Sequence, residues 1–324
     1  MSISAEHWEA RIGRRVRLRD LHILLTVVQM SSMAKAAQRL SISQSAVSKA
    51  IADLEYTLGV RLLDRSPRGV EPTPYGGALI KRGLAAFDEL RQGIGEIEFM
   101  SDASVGEVRV GCPESMVATL LPPVIKQLSL SHPGIAVQVA QMNPVTLDVR
   151  ELRERKVDMM IGRVAPAFAE EDLTTEILFE ERLVIVAGAQ SHWARRRNIE
   201  LSKLLDANWI HFPPGEAPRM LVDKAFSARG LTPPRAAVAT FSFYLRDMLL
   251  TSGDYVTVIP ASMVRVFNAN SHKVKVLPID LGIQARPVAI FTLKDRSLSP
   301  AAELFIKCVR ATVKSTLSNL GVPG

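Results

Sequence analysis

Leu18, Leu21, Leu24, Leu25 and Val28 fall on one face of a helix that ends near Ser31-Ser32. Ser32 is a fitting cap for a second helix, Met33 to Leu40, in which Ala34, Ala36 and Ala37 leave room for close helix packing. After the connector Ser41-Ile42-Ser43, Ser43 can cap a third helix starting near Gln44. Along it Val47, Ile51, Leu54 and Leu58 recur at core spacing, while Gln44, Ser45, Ser48 and Lys49 face the other way. Two short helices joined by a three-residue turn describe a helix-turn-helix. Short apolar pairs flanking Arg65-Ser66-Pro67-Arg68-Gly69 then predict a two-stranded wing. Thr73-Pro74 reads as a helix start, cap followed by N1 proline. From there Ile80, Leu84, Phe87, Leu90, Ile94 and Ile97 form one apolar stripe opposite Lys81, Arg82, Asp88, Glu89 and Arg91. A helix this long needs a partner for that stripe. A core of its own domain would serve, but the charged opposite face favours a dimerising linker.

After a soft boundary at residues 101–106 the pattern alternates between strands and helices. Val108 to Gly111 predicts a strand, and residues 115–130 a helix that Pro122-Pro123 should bend or divide. Strands are expected at 135–140, 157–161, 183–187, 209–212, 236–241, 256–259, 273–278 and 288–292. Helices are expected at 145–155 and 300–320. This order predicts an α/β body with mostly parallel sheets.

Length and composition narrow the class. The 324 residues suffice for two or three compact units. At 47% hydrophobic and a net charge of +7 the chain is too apolar to stay disordered. Two distant cysteines exclude a disulfide scaffold. The first twenty residues lack the apolar stretch of a signal peptide, and no run approaches eighteen apolar residues, so a soluble cytoplasmic protein is expected. Between Arg11 and Arg82 lie thirteen Lys/Arg and five Asp/Glu, so the whole positive excess sits in the first quarter. That asymmetry fits a polyanion-binding module, including a basic arm over residues 1–17, joined to a nearly neutral body.

The outward face of the third helix carries matching chemistry. Gln pairs with adenine, Ser with several bases, and Lys with guanine or phosphate; the same residues would also suit an ordinary solvated helix. Enzymatic readings lack their parts: the six histidines show no metal-ligand spacing, and there is no P-loop, dinucleotide fingerprint or Gly-x-Ser-x-Gly elbow. No cofactor is expected. Cys112 and Cys308 leave a thiol redox sensor as an alternative, and the Arg195-Arg196-Arg197 run reads as solvated surface.

The motif Ala36-Ala37 … Leu40 … Ser43-Gln44-Ser45-Ala46-Val47-Ser48 … Ile51 … Leu54-Glu55 … Leu58-Gly59 … Leu62-Leu63 … Arg65 … Thr73 … Gly76 resembles the N-terminal signature of LysR-type transcriptional regulators. It covers about sixty residues, far more than a generic helix-turn-helix. Leu63 stands where the family usually has Phe and Pro72 where it usually has Leu. Weaker matches follow in the body: Leu121-Pro122, His132-Pro133, Val157-Asp158, His192 and Gly253 … Val256 … Ile259-Pro260. Within the family the chain looks nearest to regulators of protocatechuate-type aromatic catabolism and of sugar-uptake genes.

The resemblance implies a winged helix-turn-helix domain over 18–73, a linker helix over 74–100 and a two-lobed, periplasmic-binding-protein-like α/β effector domain over 106–324. Lobe I would take about 107–180 and 281–324, and lobe II about 181–280. The implied partners are double-stranded promoter DNA, a second copy through the linker helix within a homotetramer, RNA polymerase if the protein activates, and no membrane. The implied DNA contacts are Ala34, Lys35, Ser43, Gln44, Ser45, Ser48, Lys49, Arg65, Arg68 and Thr73. A small effector (an organic acid, aromatic acid or sugar derivative) would lie between the lobes. Its candidates are Pro113, Glu114, Ser115 and Met116 at one helix start, Asn143, Pro144 and Thr146 at the next, Arg163 after a strand, and Phe212, Pro213, Phe241 and Ser242 opposite. The competing class is a cytosolic solute-binding protein whose basic arm touches DNA without preference.

Overall fold

The computed structural model describes residues 15–66, 69–142, 149–164, 170–269 and 273–320. The chain divides into two compact units, Met1–Gly93 and Ile94–Gly324.

In the first unit α1 (Leu18–Met30), α2 (Met33–Leu40) and α3 (Gln44–Leu58) precede a hairpin of β1 (Leu63–Ser66) and β2 (Gly69–Pro72), and then α4 (Pro74–Ser101). The first two helices end on serines in the left-handed region, Ser31 at φ 50° and Ser41 at φ 55°. Such residues reverse the chain within a short turn, at a local cost that the surrounding packing offsets. The core joins Ile23, Leu24, Val27, Ala36, Val47, Ile51 and Leu54 to Leu62, Leu63 and Val70 from the hairpin. The face of α1 thus differs from the sequence expectation. Leu18 is exposed and Ile23 and Val27 are buried, while Leu25 turns toward Gly83 of α4. Apolar residues cover more than one face of this helix, and tertiary contacts choose between them. Leu63 is fully engaged in the core, so the departure from Phe is absorbed by packing. Glu55 Oε1 accepts the Leu62 and Leu63 N–H groups at 2.7 and 3.2 Å and ties the hairpin to α3.

The second unit contains two five-stranded sheets. One is built from β3 (Val105–Cys112), β4 (Gly134–Gln141), β5 (Met159–Arg163), β6 (Leu173–Glu181) and β12 (Arg286–Leu293), in the order β4-β3-β5-β12-β6. The other contains β7 (Leu183–Gly188), β8 (Asn208–His211), β9 (Ala236–Ala239), β10 (Tyr255–Pro260) and β11 (Val274–Val276), in the order β11-β7-β10-β8-β9. These sheets define two lobes. The sheets are mixed, which corrects the expectation of mostly parallel pairing. Strand β3 runs parallel to β4 and β5, but β12 is antiparallel to both β5 and β6. In the second sheet β7 is antiparallel to β10 and β11. The cause is topological: the chain leaves the first sheet after β6 and re-enters it through β12 from the opposite direction.

Helices α5 (Glu114–Thr119) and α6 (Leu121–Ser131) share the stretch expected as one helix, divided just before Pro122-Pro123. A proline cannot donate to the preceding turn, so the break falls there. Within the described residues the helix expected at 145–155 is only α7 (Arg150–Arg153). The second lobe adds α8 (Ala217–Ser227), α9 (Phe243–Ser252) and α10 (Met263–Ala269), and α11 (Pro300–Leu320) closes the first lobe. Val108, Val110, Leu121 and Leu128 meet Phe305 and Val309 of α11 in one core, while Trp209, Phe226, Val256 and Val258 centre the other. Among the described residues no helix is long and apolar enough to cross a membrane.

Candidate nucleic-acid interface and effector cleft

The interface is prepared by the phase of α3. Val47, Ile51 and Leu54 are buried, which leaves Gln44, Ser45 and Lys49 exposed and Ser48 half-buried. Ser43 begins the helix: its Oγ accepts the Ala46 N–H at 3.1 Å and lies 2.9 Å from the Ser45 hydroxyl. Ala34 and Lys35 are exposed at the start of α2, whereas Ala36 and Ala37 carry the close packing. Ser32 caps that helix through the Lys35 N–H. Arg65 is exposed on β1. Together these side chains give two helix N-termini, a row of small polar groups and exposed cations, the usual equipment for one groove and its phosphates.

Thr73 has a different role from the DNA contact assigned to it by resemblance. It is buried, its hydroxyl donates to the Arg61 carbonyl at 2.7 Å, and the same oxygen accepts the Gly76 N–H at 3.1 Å. Its single donor and one of its lone pairs are spent on joining the hairpin to α4. Arg68 and most of the 1–17 arm lie outside the described residues.

Between the two lobes of the second unit is a cleft lined by Ser115, Arg163, Glu181, Arg286 and Gln284 among polar residues, and by Leu183, Phe212, Phe243, Pro260 and Ile283 among apolar ones. Its cavity volume is about 70 Å³, room for several waters at about 10–15 Å³ each. Ser115 is buried, yet its hydroxyl makes no hydrogen bond among the described residues. Arg163 Nε and Nη2 are likewise without a hydrogen bond, and Nη2 stands 3.8 Å from Glu181 Oε2. Burial pushes Arg163 below the ordinary guanidinium value, and Arg286 beside it acts in the same direction. Buried donors without acceptors are rare and costly in a native fold, and here they converge on one space.

Behind the apolar wall Arg246 is completely buried, with its guanidinium 4.1 Å from the centre of the Phe212 ring. It donates to the carbonyls of Ile210 and Thr240 and to Thr257. Burial pushes its pKa down to about 9, and the charge of Glu114 partly restores it. Glu114 spans the lobes, since its Oε2 accepts the Phe243 N–H at 3.4 Å. His211 stacks on Trp209 at 4.8 Å; burial first, then Arg219 and Arg246, push its pKa down to about 3, so it is neutral.

Of the effector candidates, Ser115, Arg163 and Phe212 line the cleft. Met116 does not: it is buried inside the core of the first lobe, because the turn that aims Ser115 at the cleft sends the next side chain inward. Pro113 is the buried residue before α5, and Glu114 bridges the lobes beside the cavity. Phe241 packs on Phe212, with ring centres 6.0 Å apart, and Ser242 caps α9 by accepting the Leu245 N–H. Pro213 is half-buried and does not line the cavity. Asn143, Pro144 and Thr146 lie outside the described residues. Glu181 and Arg286 are absent from the sequence-derived candidates. They close β6 and open β12, and sequence pattern predicts no strand at 173–181, whose burial alternates only weakly.

The environment of Cys112 disfavours the redox alternative at that residue. Cys112 and Cys308 are both buried free thiols, and burial pushes Cys112 up to about 12, so it carries no thiolate at neutral pH.

Comparison with known proteins is consistent along the whole chain. Residues 18–77 match the profile of the bacterial regulatory helix-turn-helix protein, lysR family, and residues 101–314 match the LysR substrate binding domain. The regulator GbpR of Azospirillum brasilense is 31% identical over 302 residues, 92% of this chain and 86% of that protein. GalR of Pseudomonas putida is 28% identical over 91% of this chain and 74% of its own. Among solved structures, full-length CbnR complexed with its target DNA overlays at TM-score 0.62 and 21% identity, covering 92% and 100% of the two chains. A cysteine-substituted full-length OxyR of Pseudomonas aeruginosa overlays at 0.64 and 22%, covering 92% and 95%. The relatives are transcriptional regulators, a reading that the paired domains here repeat. With a DNA-binding domain and a substrate-binding domain each matched in place, the chain belongs to the LysR family of DNA-binding transcriptional regulators.

Proposed function

We propose that this regulator reads promoter DNA with Gln44, Ser45, Ser48 and Lys49 of α3. Ala34, Lys35 and Ser43 would approach the same groove, and Arg65 and Arg68 would hold the flanking backbone. The observation that carries this reading is the division of α3 into a buried apolar face and an exposed Ser/Gln/Lys face at its N-terminal end. Domain limits at 18–73, 74–100 and 106–324 belong to the same reading. Leu90, Ile94 and Ile97 are exposed on one side of α4, 28 residues long, and would be covered by the linker of a second copy, as a step toward a tetramer. A soluble, cytoplasmic protein that contacts RNA polymerase when it activates completes the picture.

The cleft between the lobes would take a small effector: an organic acid, an aromatic acid or a sugar derivative. Such a ligand changes DNA binding only if it favours one lobe geometry over another. The test is binding to the DNA upstream of the protein's own gene against scrambled DNA at about physiological salt. A preference on the order of a thousandfold supports the regulator reading. Equal weak binding to both, with Gln44→Ala leaving the ratio unchanged, would remove α3 from that role and favour the solute-binding alternative.

A further inference from the structure

We propose that the cleft selects a monocarboxylate carrying an apolar body, and that Glu181 is the residue that turns away a second negative charge. This rests on the effector-cleft reading above. Arg163 ends β5, Glu181 ends β6 and Arg286 begins β12, so all three lie at one end of the first lobe's sheet. Arg286 and Glu181 are direct cross-strand partners. Glu181 is held in place from the other lobe: its Oε2 accepts the Ser262 hydroxyl at 2.6 Å and its Oε1 the Ser262 N–H at 3.3 Å.

The surrounding charges cancel. Arg246 is countered by Glu114, Arg219 pairs with Asp223 at 2.7 Å, and the buried His211 is neutral. What faces the cavity is therefore two guanidinium groups and one carboxylate, a deficit of one negative charge. The unpartnered donors of Arg163 and Ser115 suit a single carboxylate. Leu183, Phe212, Phe243 and Pro260 offer an apolar wall for the rest of the molecule. A second carboxylate would meet Glu181 in a small, partly enclosed space, where like charges repel more strongly than in bulk water. A neutral ligand could accept from Arg163 through a carbonyl oxygen, but without the charge that makes a guanidinium–carboxylate hydrogen bond about twice as strong as a neutral one.

The test uses the full chain near pH 7, with calorimetry and thermal melting against matched probes: butyrate and benzoate, the amides butyramide and benzamide, and the dianions succinate and phthalate. Each monocarboxylate should bind at least about tenfold more tightly than its amide and its dianion. Glu181→Gln should bring the dianions level with the monocarboxylates, whereas Ser262→Ala, which removes the hydroxyl's hydrogen bond to the side chain but keeps the charge, should preserve the preference. If Glu181→Gln fails to fold, Arg286→Gln supplies the converse: the acids should lose their advantage over the amides. Amides binding as well as acids, dianions preferred by the unmodified protein, or a Glu181→Gln protein with unchanged discrimination would each overturn the charge selection while leaving an occupied cleft. No binding of any probe would overturn the cleft reading itself along with the selection.

Discussion

The exposed face of α3 and the cleft between the lobes handle polar groups in opposite ways. Gln44, Ser45 and Lys49 stand in solvent, where water satisfies them, and the helix behind them is held by Val47, Ile51 and Leu54. In the cleft, the buried Ser115 hydroxyl and the Nε and Nη2 atoms of the half-buried Arg163 are shielded from water as donors that meet no hydrogen-bond acceptor among the described residues. The first arrangement costs the fold almost nothing, so its residues are free to change without loss of structure. The second carries a standing desolvation cost that a matching ligand offsets, so its residues are tied to one chemistry.

Mutations should separate these behaviours. The largest effect is expected at a buried charge whose partners are complete. Asp158 accepts Arg109 and Arg296 at 2.8 and 2.6 Å, and Asp158→Ala should cost about 3–5 kcal/mol in denaturant unfolding, because it leaves Arg296 buried and uncompensated. Burial opposes ionisation of Asp158, but Arg109 and Arg296 outweigh it and hold the pKa below the ordinary value. Its stabilisation is therefore complete above the unfolded carboxylate value, about 3.9, and lost as pH falls toward the lower folded value. A stability profile in acid that is the same for the native protein and Asp158→Asn would contradict this.

Removing donors that lack hydrogen-bond acceptors should act the other way. Arg163→Met is expected to leave stability unchanged or raise it by up to about 1 kcal/mol, because the relief of its unmatched donors is partly offset by the cation lost to Glu181, while carboxylate binding is abolished; a large loss of stability would show that Arg163 is structurally committed. His211 gives a milder effect in a separate pH window. Its folded pKa of about 3 lies below the unfolded value of about 6.5. The unfolded chain thus binds the proton first, and stability should decline as pH drops below about 6.5. Melting between about pH 6.5 and 4.5 should be flatter in His211→Phe than in the native protein. On the DNA face the expected stability changes are smallest. Ser43→Ala should cost about 1 kcal/mol through its lost cap. Gln44→Ala should shift unfolding by less than about 0.5 kcal/mol, yet reduce discrimination by about 1–3 kcal/mol per base contact.

The two regions also differ in how far sequence exposes them. The helix-turn-helix is encoded locally: caps at Ser32 and Ser43 and the spacing of Val47, Ile51 and Leu54 fix which side chains face out, and the structure keeps that phase. In α1 apolar residues on two sides leave the phase to tertiary contacts, and Ile23 rather than Leu18 goes inward. The cleft depends on strands far apart in the chain. Ser115 and Arg163 are legible because each follows a strong strand pattern, but Glu181 and Arg286 meet only through β6–β12 pairing, which no periodicity announces. Met116 shows the limit within a single turn, since neighbouring residues at a helix start point to opposite surroundings.

The double use of Thr73 has a mechanical consequence. It bonds the Arg61 carbonyl before the hairpin and the Gly76 amide inside α4, and Gly76 lies so close to the Leu62 carbonyl that a side chain there would collide with it. The hairpin and the first turn of α4 are thereby welded into one piece. A rotation of the first turn of α4 would therefore carry β1 and Arg65 with it.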